Sequence, residues 1–454
     1  MKPTAPDPAI AALLDRPVDP AREFVAGGAT HGEIHAMAAW LRTRLGSSGQ
    51  RETLCLATDN RAMIAAALLA SLAGGPVALL PYSFSGQALA GMQRATGCAK
   101  ALVDAEQDIP AKMEAIRPPW GAGAAAGDLS RFDARPDAEL LRLYTGGSTG
   151  APQLWSKTGT NLLAETLFLA AHFAVTPADR IVATTSPVHI YGLLYSVLLP
   201  LVSGAAIAPG IPSFPEEIVR AAREHEATVL ICLPPQYRAL RGKGSLGPSL
   251  RLAFSSAGML DATDNAEFCR HNSAGIVEVF GSTETGGIAL RNRCQGETGF
   301  TPYPTVDWRI ADERLLIRSP YLSPGLPRDA EGYFLTGDRV EPSGAAGFQI
   351  KGRADSITKV GGKRVDLEEI RGAIIGLDGV SGCLVLALPE AGGREHRIVA
   401  LVEGAAVDIE TVRAALAARF EPYALPRAIR AIDRLPIRDN GKIDREAVLR
   451  LFAP

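Results

Sequence analysis

No two cysteines in this chain are spaced as C-x-x-C, and the six present (Cys55, Cys98, Cys232, Cys269, Cys294, Cys383) are scattered. That spacing argues against a disulfide framework or a zinc site and makes a reducing cytoplasm the simplest location. An excess of one charge is equally lacking. Lysine plus arginine totals 47 against 49 for aspartate plus glutamate, a formal charge of −2. This balance gives no footprint for nucleic acid and no polybasic patch for a membrane surface. The N-terminus, MKPTAPDPAIAALLDRP, carries early acids and prolines and lacks the apolar core of a signal peptide. Only one apolar run is long, Ile190 to Pro209. It contains Ser196, Pro200 and Ser203 and meets a helix stop at Gly204, so it reads as a buried helix and strand rather than a membrane span. No internal repeat is visible, and no G-x4-G-K-[ST] spacing is present.

What is present is an ordinary globular composition, 47% apolar and 21% charged over 454 residues, long enough for two or three domains. From residue 23 to 135, helical and strand patterns alternate. HGEIHAMAAWLRTRLG and RAMIAAALLASLAGG have helical spacing, while ETLCLAT and PVALLP are short apolar strands. The alternation returns in EEIVRAAREHEA, TVLICLPP, RLAFSSAG and GIVEVFG. Strands that are apolar throughout and alternate with helices predict an α/β fold of helix-covered parallel sheets. In such sheets ligands bind beyond the carboxyl ends of the strands. Residues 118–133, rich in glycine and alanine, read as a connector. After about residue 300 the texture changes to antiparallel strands, WRIADERLLIRSP and the hairpin YFLTGDRVEPSGAAGFQIKGR. From residue 357 a small α+β unit follows, with helices DLEEIRGAIIG and IETVRAALAARF, strands GCLVLAL and HRIVALVE, and an extended end. These shifts predict a domain of residues 1–352, a joint at 353–356 and a domain of residues 357–454.

The strongest local motif is Thr145-Gly146-Gly147-Ser148-Thr149-Gly150, which follows an apolar strand. Its glycines let backbone N–H groups turn toward an anion, and its hydroxyls add donors, as a polyphosphate requires. The same residues also satisfy G-x-S-x-G, the nucleophile elbow of serine hydrolases. That motif needs a helix directly after the serine, and Pro152 followed by LWSKT does not provide one. A second motif, Phe280-Gly281-Ser282-Thr283-Glu284-Thr285-Gly286, places a ring, hydroxyls and one carboxylate side by side after a buried strand. A ring can stack on a base, a hydroxyl can donate to phosphate, and a carboxylate can hold magnesium. Asp338 follows the strand YFLTG and suits a pair of ribose hydroxyls. Arg353 and Asp355 lie at the texture boundary, and Lys442 stands on a glycine turn near the C-terminus.

In this order and spacing the motifs resemble those of the adenylate-forming superfamily, which comprises acyl- and aryl-CoA synthetases, stand-alone adenylation enzymes and luciferase. The resemblance spans residues 25 to 450. It implies a large N-terminal domain with a small β-barrel-like part and a small, mobile C-terminal domain. It further implies that Thr145 to Gly150 wrap the β- and γ-phosphates of ATP and that Phe280, beside Gly281, stacks on adenine. By the same resemblance Thr283 meets the α-phosphate, Glu284 holds Mg2+, and Asp338 and Arg353 hold the ribose. Asp355 becomes the hinge residue, and Lys442 bridges the attacking carboxylate and the α-phosphate. The implied reaction makes an acyl-adenylate and then a thioester of coenzyme A or of the phosphopantetheine of an acyl carrier protein. Two further outcomes stay open: delivery to a non-thiol acceptor, and a non-catalytic ATP-binding relative. The chain departs from the family at Gln153, where a lysine is usual, and Lys157 is the nearest substitute.

By the same resemblance the acid pocket is formed by His189, Tyr191, Gly192, Tyr195, Gly258, Gly286 and Gly287, with His189 as gate or wall. Residues 186 to 195 contain no acid to pair with an α-ammonium. An unpaired buried ammonium is costly, so the expected small-molecule substrate is an aryl acid or a short-to-medium acyl acid.

Overall fold

Thr30 starts the helix His31–Leu45 through a capping box. Its hydroxyl accepts the Glu33 N–H (3.2 Å), and the Glu33 carboxylate accepts the Thr30 N–H (2.8 Å). The helix closes at Gly46, where the sequence pattern ends it. The computed structural model describes residues 8–46, 51–104, 109–119, 128–145, 153–344, 346–360, 363–389, 396–404, 407–436 and 444–452. The chain divides into two units, Met1–Asp307 with Arg318–Arg328, and Trp308–Ile317 with Asp329–Pro454. The expected boundary at 352–356 lies inside the second unit.

The first unit holds two sheets. One has the order Glu114–Ile116, Lys100–Leu102, Thr53–Leu56, Val77–Leu80, Glu139–Thr145, Gln153–Thr158. Its first five strands run parallel and the last turns back antiparallel. The other has the order Thr301–Pro302, Gly286–Asn292, Ile276–Ser282, Leu252–Ser255, Val229–Cys232, Arg180–Ala183, Ala206–Ile207. Five strands of this sheet are parallel, and the two that follow residue 282 are antiparallel. The helix-covered parallel sheets expected from the sequence are therefore present.

The helix Arg61–Leu72 is buried along all of its 12 residues. Eight of its residues are alanine or leucine and two more are Met63 and Ile64, so both faces can be covered. Its one charge is satisfied. Arg61 donates to the Ser196 hydroxyl (3.2 Å) and to the carbonyls of Gly210 (2.8 Å) and Ala183 (3.4 Å). The long apolar run resolves into short pieces: Ile190–Leu193, a π-helical turn Leu194–Leu198, Leu199–Ser203 and the strand Ala206–Ile207. Pro200 has no N–H and its ring excludes a regular bond to the 196 carbonyl, so the preceding turn opens and Leu199 N–H donates to the Leu194 carbonyl. Among the described residues no helix is long and apolar enough to cross a membrane.

The second unit contains a sheet ordered Asp307–Ala311, Arg314–Arg318, Phe334–Ser343, Gly347–Arg353, which starts in and partly overlaps the first unit's residues. This sheet stands where a small barrel-like part was expected. A hairpin Ile357–Val360 with Lys363–Asp366 and a sheet of Gly382–Pro389, His396–Glu403 and Ala428–Ile432 complete the strands of this unit. The expected extended end is instead the helix Arg445–Leu451. Asp444 caps it by accepting the N–H groups of Glu446 and Ala447 (3.1 Å each). Val448 and Phe452 bury against Leu386, Leu388, Val399 and Leu401. Burial of such side chains, at ~1.5–3 kcal/mol each, is enough to order one short helix.

One expectation about cysteine is corrected. Cys269 and Cys294 are joined as a disulfide with Cα atoms 6.6 Å apart. The end of the helix Ala262–His271 meets the turn Arg293–Gln295 only through sheet pairing, so sequence spacing gives no sign of it. The other four cysteines are free and buried.

Candidate active site

Both motifs begin at the carboxyl ends of strands. The strand Glu139–Thr145 carries the chain to Thr145, which lies opposite Gln153 in the returning strand. Gly146, Gly147, Ser148, Thr149 and Gly150 lie outside the described residues, as does Lys442. From Gln153 the chain is strand, not helix, up to Thr158. A nucleophile elbow cannot be built that way.

The strand Ile276–Ser282 ends in a tight turn that returns along Gly286–Asn292. Ser282 and Thr285 lock it reciprocally: Ser282 N–H donates to the Thr285 hydroxyl (3.0 Å), and Thr285 N–H to the Ser282 hydroxyl (3.2 Å). Thr283 and Glu284 sit at the tip, half-buried. Among the described residues no hydrogen bond engages the Glu284 carboxylate, while its carbonyl accepts from Ser323 N–H (2.8 Å) and Lys157 Nζ (3.3 Å). The side chain is thus available and its backbone is fixed. Phe280, half-buried, has its ring 5.7 Å from that of Phe300. Gly281 pairs with Gly287 and leaves no room for a Cβ between the strands.

Among the described residues no three His, Cys, Asp or Glu side chains cluster as a metal cage. One free carboxylate is nevertheless the donor set that magnesium takes when phosphate oxygens and waters fill its other positions. The residues present therefore fit a magnesium nucleotide.

Of the expected acid-pocket residues, His189, Tyr191, Gly192 and Tyr195 lie on or beside the helix that begins at Ile190. His189 is its N-cap and is half-buried. Gly192 lies directly under the Ser186 carbonyl, where no side chain fits. Tyr191 donates to the Cys232 carbonyl (3.3 Å). The Tyr195 ring lies 5.0 Å from Tyr191 and 5.0 Å from Phe254, forming a continuous buried aromatic cluster. Burial holds both phenols far above their ordinary pKa, so both stay protonated. Gly258 is exposed on the turn after Leu252–Ser255. Gly286 and Gly287 face a buried carboxylate that the sequence reading missed, Glu165. Its signal was an acid on the apolar face of NLLAETLFLAA.

Those residues belong to the first unit. In the second, Asp338 lies opposite Arg353 across two antiparallel strands, with Oδ1 3.8 Å from Nη1. Asp338 is further held by its N–H, which donates to the Thr336 hydroxyl (3.1 Å). Asp355 lies in the short turn Ala354–Ser356. Just beyond it, Ser356 donates to Asp366 (3.1 Å), and Asp366 also pairs with Arg339.

Comparison with known proteins identifies the family. The AMP-binding enzyme family model matches residues 27–335. The anthranilate–CoA ligase of Pseudomonas aeruginosa is 28% identical over 462 residues, spanning 90% of this chain and 88% of its own. The 3-hydroxybenzoate–CoA ligase of Aromatoleum sp. is 25% identical over 495 residues, spanning 95% and 93%. The crystal structure of ATP-bound MatB from Rhodopseudomonas palustris shares the fold at a TM-score of 0.82, with 20% identity and 98% of both chains covered. The chain belongs to the AMP-binding enzyme family, within the adenylate-forming superfamily.

Proposed function

We propose that the protein is a magnesium-dependent acid–thiol ligase that forms AMP, acting on an aryl or short-to-medium acyl acid. The observation that carries this reading is the turn at Thr283–Glu284, where a carboxylate that accepts no hydrogen bond from the described residues stands on a fixed backbone at the end of a parallel-sheet strand. Family membership and the aryl-CoA ligases among the relatives support it.

In the first half-reaction a substrate carboxylate oxygen attacks the α-phosphorus of ATP. The bond to the β-phosphate oxygen breaks, and pyrophosphate leaves. Two anions meet in this step, so positive charge and donors must be in place beforehand. Lys442 touches both reacting anions, Thr283 donates to the α-phosphate, and the Thr145–Gly150 loop cradles the departing phosphates. Glu284 holds magnesium, which when bound neutralises phosphate charge. Asp338 and Arg353 orient the ribose, and Phe280 the base. In the second half-reaction the thiol sulfur attacks the acyl carbonyl carbon, and AMP leaves. Residues 357–454 move about 353–356 between the two steps, with Asp355 as the pivot. The acceptor is the phosphopantetheine thiol of coenzyme A, as the named relatives suggest, or that of an acyl carrier protein.

The test is product analysis with benzoate, coenzyme A and MgATP. Benzoyl-CoA, AMP and pyrophosphate in equal amounts support the proposal, whereas ADP and phosphate contradict it.

Two variants test individual roles. Ser148→Ala retains measurable ligase activity, because a phosphate-loop hydroxyl is one donor among several. An elbow serine is the nucleophile itself, so burst hydrolysis of a nitrophenyl ester that disappears in this variant contradicts the ligase reading. Asp338→Ala weakens ATP binding by about 1.5–3 kcal/mol, the scale of hydrogen bonds to a charged acceptor. Its fold survives, because the lost ion pair is with Arg353, whose side chain is 55% exposed. Unchanged ATP affinity with a lowered melting temperature identifies Asp338 as a structural acid instead.

A further inference from the structure

Two buried charges lie behind the Thr283–Glu284 turn, outside every motif that marks the family. Lys157 is the penultimate residue of the strand Gln153–Thr158. A capping box of Thr158 and Asn161 then turns the chain at once into the helix Gly159–His172, which carries Glu165. Lys157 and Glu165 are each 1% exposed. Asn161 Nδ2 donates to the Pro320 carbonyl (2.7 Å), which fixes the start of this helix against the segment that also supplies Tyr321 and Ser323.

The two charges grip opposite ends of one short stretch of backbone. Lys157 Nζ donates to the carbonyls of Glu284 (3.3 Å) and Tyr321 (2.9 Å). Glu165 Oε1 accepts the Gly287 N–H (2.9 Å). The contact is close: a Cβ at Gly286, whose φ is +67°, would lie 2.6 Å from Glu165 Oε2, and one at Gly287 would lie 2.8 Å from Oε1. Only glycine lets the backbone press onto the carboxylate in this way.

Such a pair is an expensive way to fill a core. A charge taken out of water costs free energy that a well-packed apolar residue of equal volume does not. Burial pulls the Lys157 pKa down and pushes that of Glu165 up, each charge partly offsetting the other. Leu162, Leu163 and Leu169 of the same helix show that apolar packing is available here. What charge adds is direction, because charge-assisted hydrogen bonds to chosen backbone atoms fix a geometry that apolar contact leaves loose. Lys157 therefore does not stand in for the lysine absent at Gln153. The Lys157 ammonium is committed to carbonyls behind the second motif.

We propose that Lys157 and Glu165 are positioning residues that bracket the Glu284–Gly287 backbone and thereby aim the Glu284 carboxylate at the magnesium of bound ATP. The proposal rests on the reading of Glu284 as the magnesium ligand.

The test is calorimetric ATP binding to the full chain, with magnesium and with EDTA, for wild type, Lys157→Met, Glu165→Gln and the double variant. In Lys157→Met the affinity gained from magnesium falls at least about tenfold, the scale of one lost charge-assisted hydrogen bond. In Glu165→Gln, whose amide oxygen can still accept from Gly287, it falls about threefold. The double variant loses no more than Lys157→Met alone, because both residues act on one turn. An unchanged magnesium gain with only a lower melting temperature overturns the proposal and makes the pair structural. If Lys157→Met does not fold, Glu165→Gln decides alone on the same criterion. A wild type whose ATP affinity ignores magnesium overturns the reading of Glu284 and the bracket's role with it, and is recognised without any variant.

Discussion

Replacing Lys442 by alanine is expected to slow adenylate formation about 10²–10³-fold, the scale of one lost transition-state charge contact. The cause is the encounter of two anions. A carboxylate approaching the α-phosphate is repelled until a cation lies between them, and no other lysine or arginine in the motifs is assigned to that place. Transfer from a supplied acyl-adenylate to the thiol is expected to persist in the same variant. In that step the sulfur attacks a neutral carbonyl carbon and the phosphate oxygen of AMP leaves with the electron pair of the broken C–O bond, so no anion has to approach the phosphate, and the proposed rotation about 353–356 takes the lysine away from it. The check is pyrophosphate exchange for the first half-reaction and thioester formation from synthetic adenylate for the second. An equal loss in both contradicts the alternation between two domain positions.

A carboxylic acid without an α-amine is expected to exceed its α-amino counterpart by at least ~10²-fold in the same exchange. Each factor of ten needs only about 1.4 kcal/mol, and an unpaired ammonium in an apolar slot costs several. Residues 186 to 195 contain no acid, and the aromatic cluster of Tyr191, Tyr195 and Phe254 offers none. Nearby acids are already committed. Asp264 is buried in contact with Arg238 and Arg241. Asp261 caps the helix Ala262–His271 and lies 3.6 Å from Arg241. Glu165 accepts from Gly287 and feels the charge of Lys157. Robust exchange with a proteinogenic amino acid, and none with benzoate-type or medium-chain acids, contradicts the pocket assignment.

The sequence carried the architecture where its patterns were long or periodic. His31–Leu45 and Arg61–Leu72 follow from helical spacing with a polar cap before each, and the apolar strands of both sheets fall where short hydrophobic runs stand. It failed where order depends on distant partners. Arg445–Leu451 is too short to hold itself, and Val448 finds its cover on strands some fifty residues earlier. The Cys269–Cys294 pair exists only because sheet pairing folds one turn onto one helix end. The site divides in the same way. Thr283 and Glu284 stand out in the sequence because they follow an apolar strand, whereas Asp338, expected just after YFLTG, lies within the strand Phe334–Ser343, and Arg353 ends the strand Gly347–Arg353 opposite it. The roles of Lys157 and Glu165 are not legible, since a lysine in LWSKT reads as a substitute for the one missing at Gln153 until its carbonyl partners, Glu284 and Tyr321, are brought across from other parts of the chain.

The most direct measurement is the incorporation of labelled pyrophosphate into ATP by the purified protein, with and without a benzoate-type or medium-chain acid and with and without magnesium. Incorporation that requires both the acid and the metal, with AMP as the nucleotide product once a thiol acceptor is added, is the predicted result. ATP turnover to ADP, or exchange that proceeds without any acid, contradicts acyl-adenylate formation as the activity of this site.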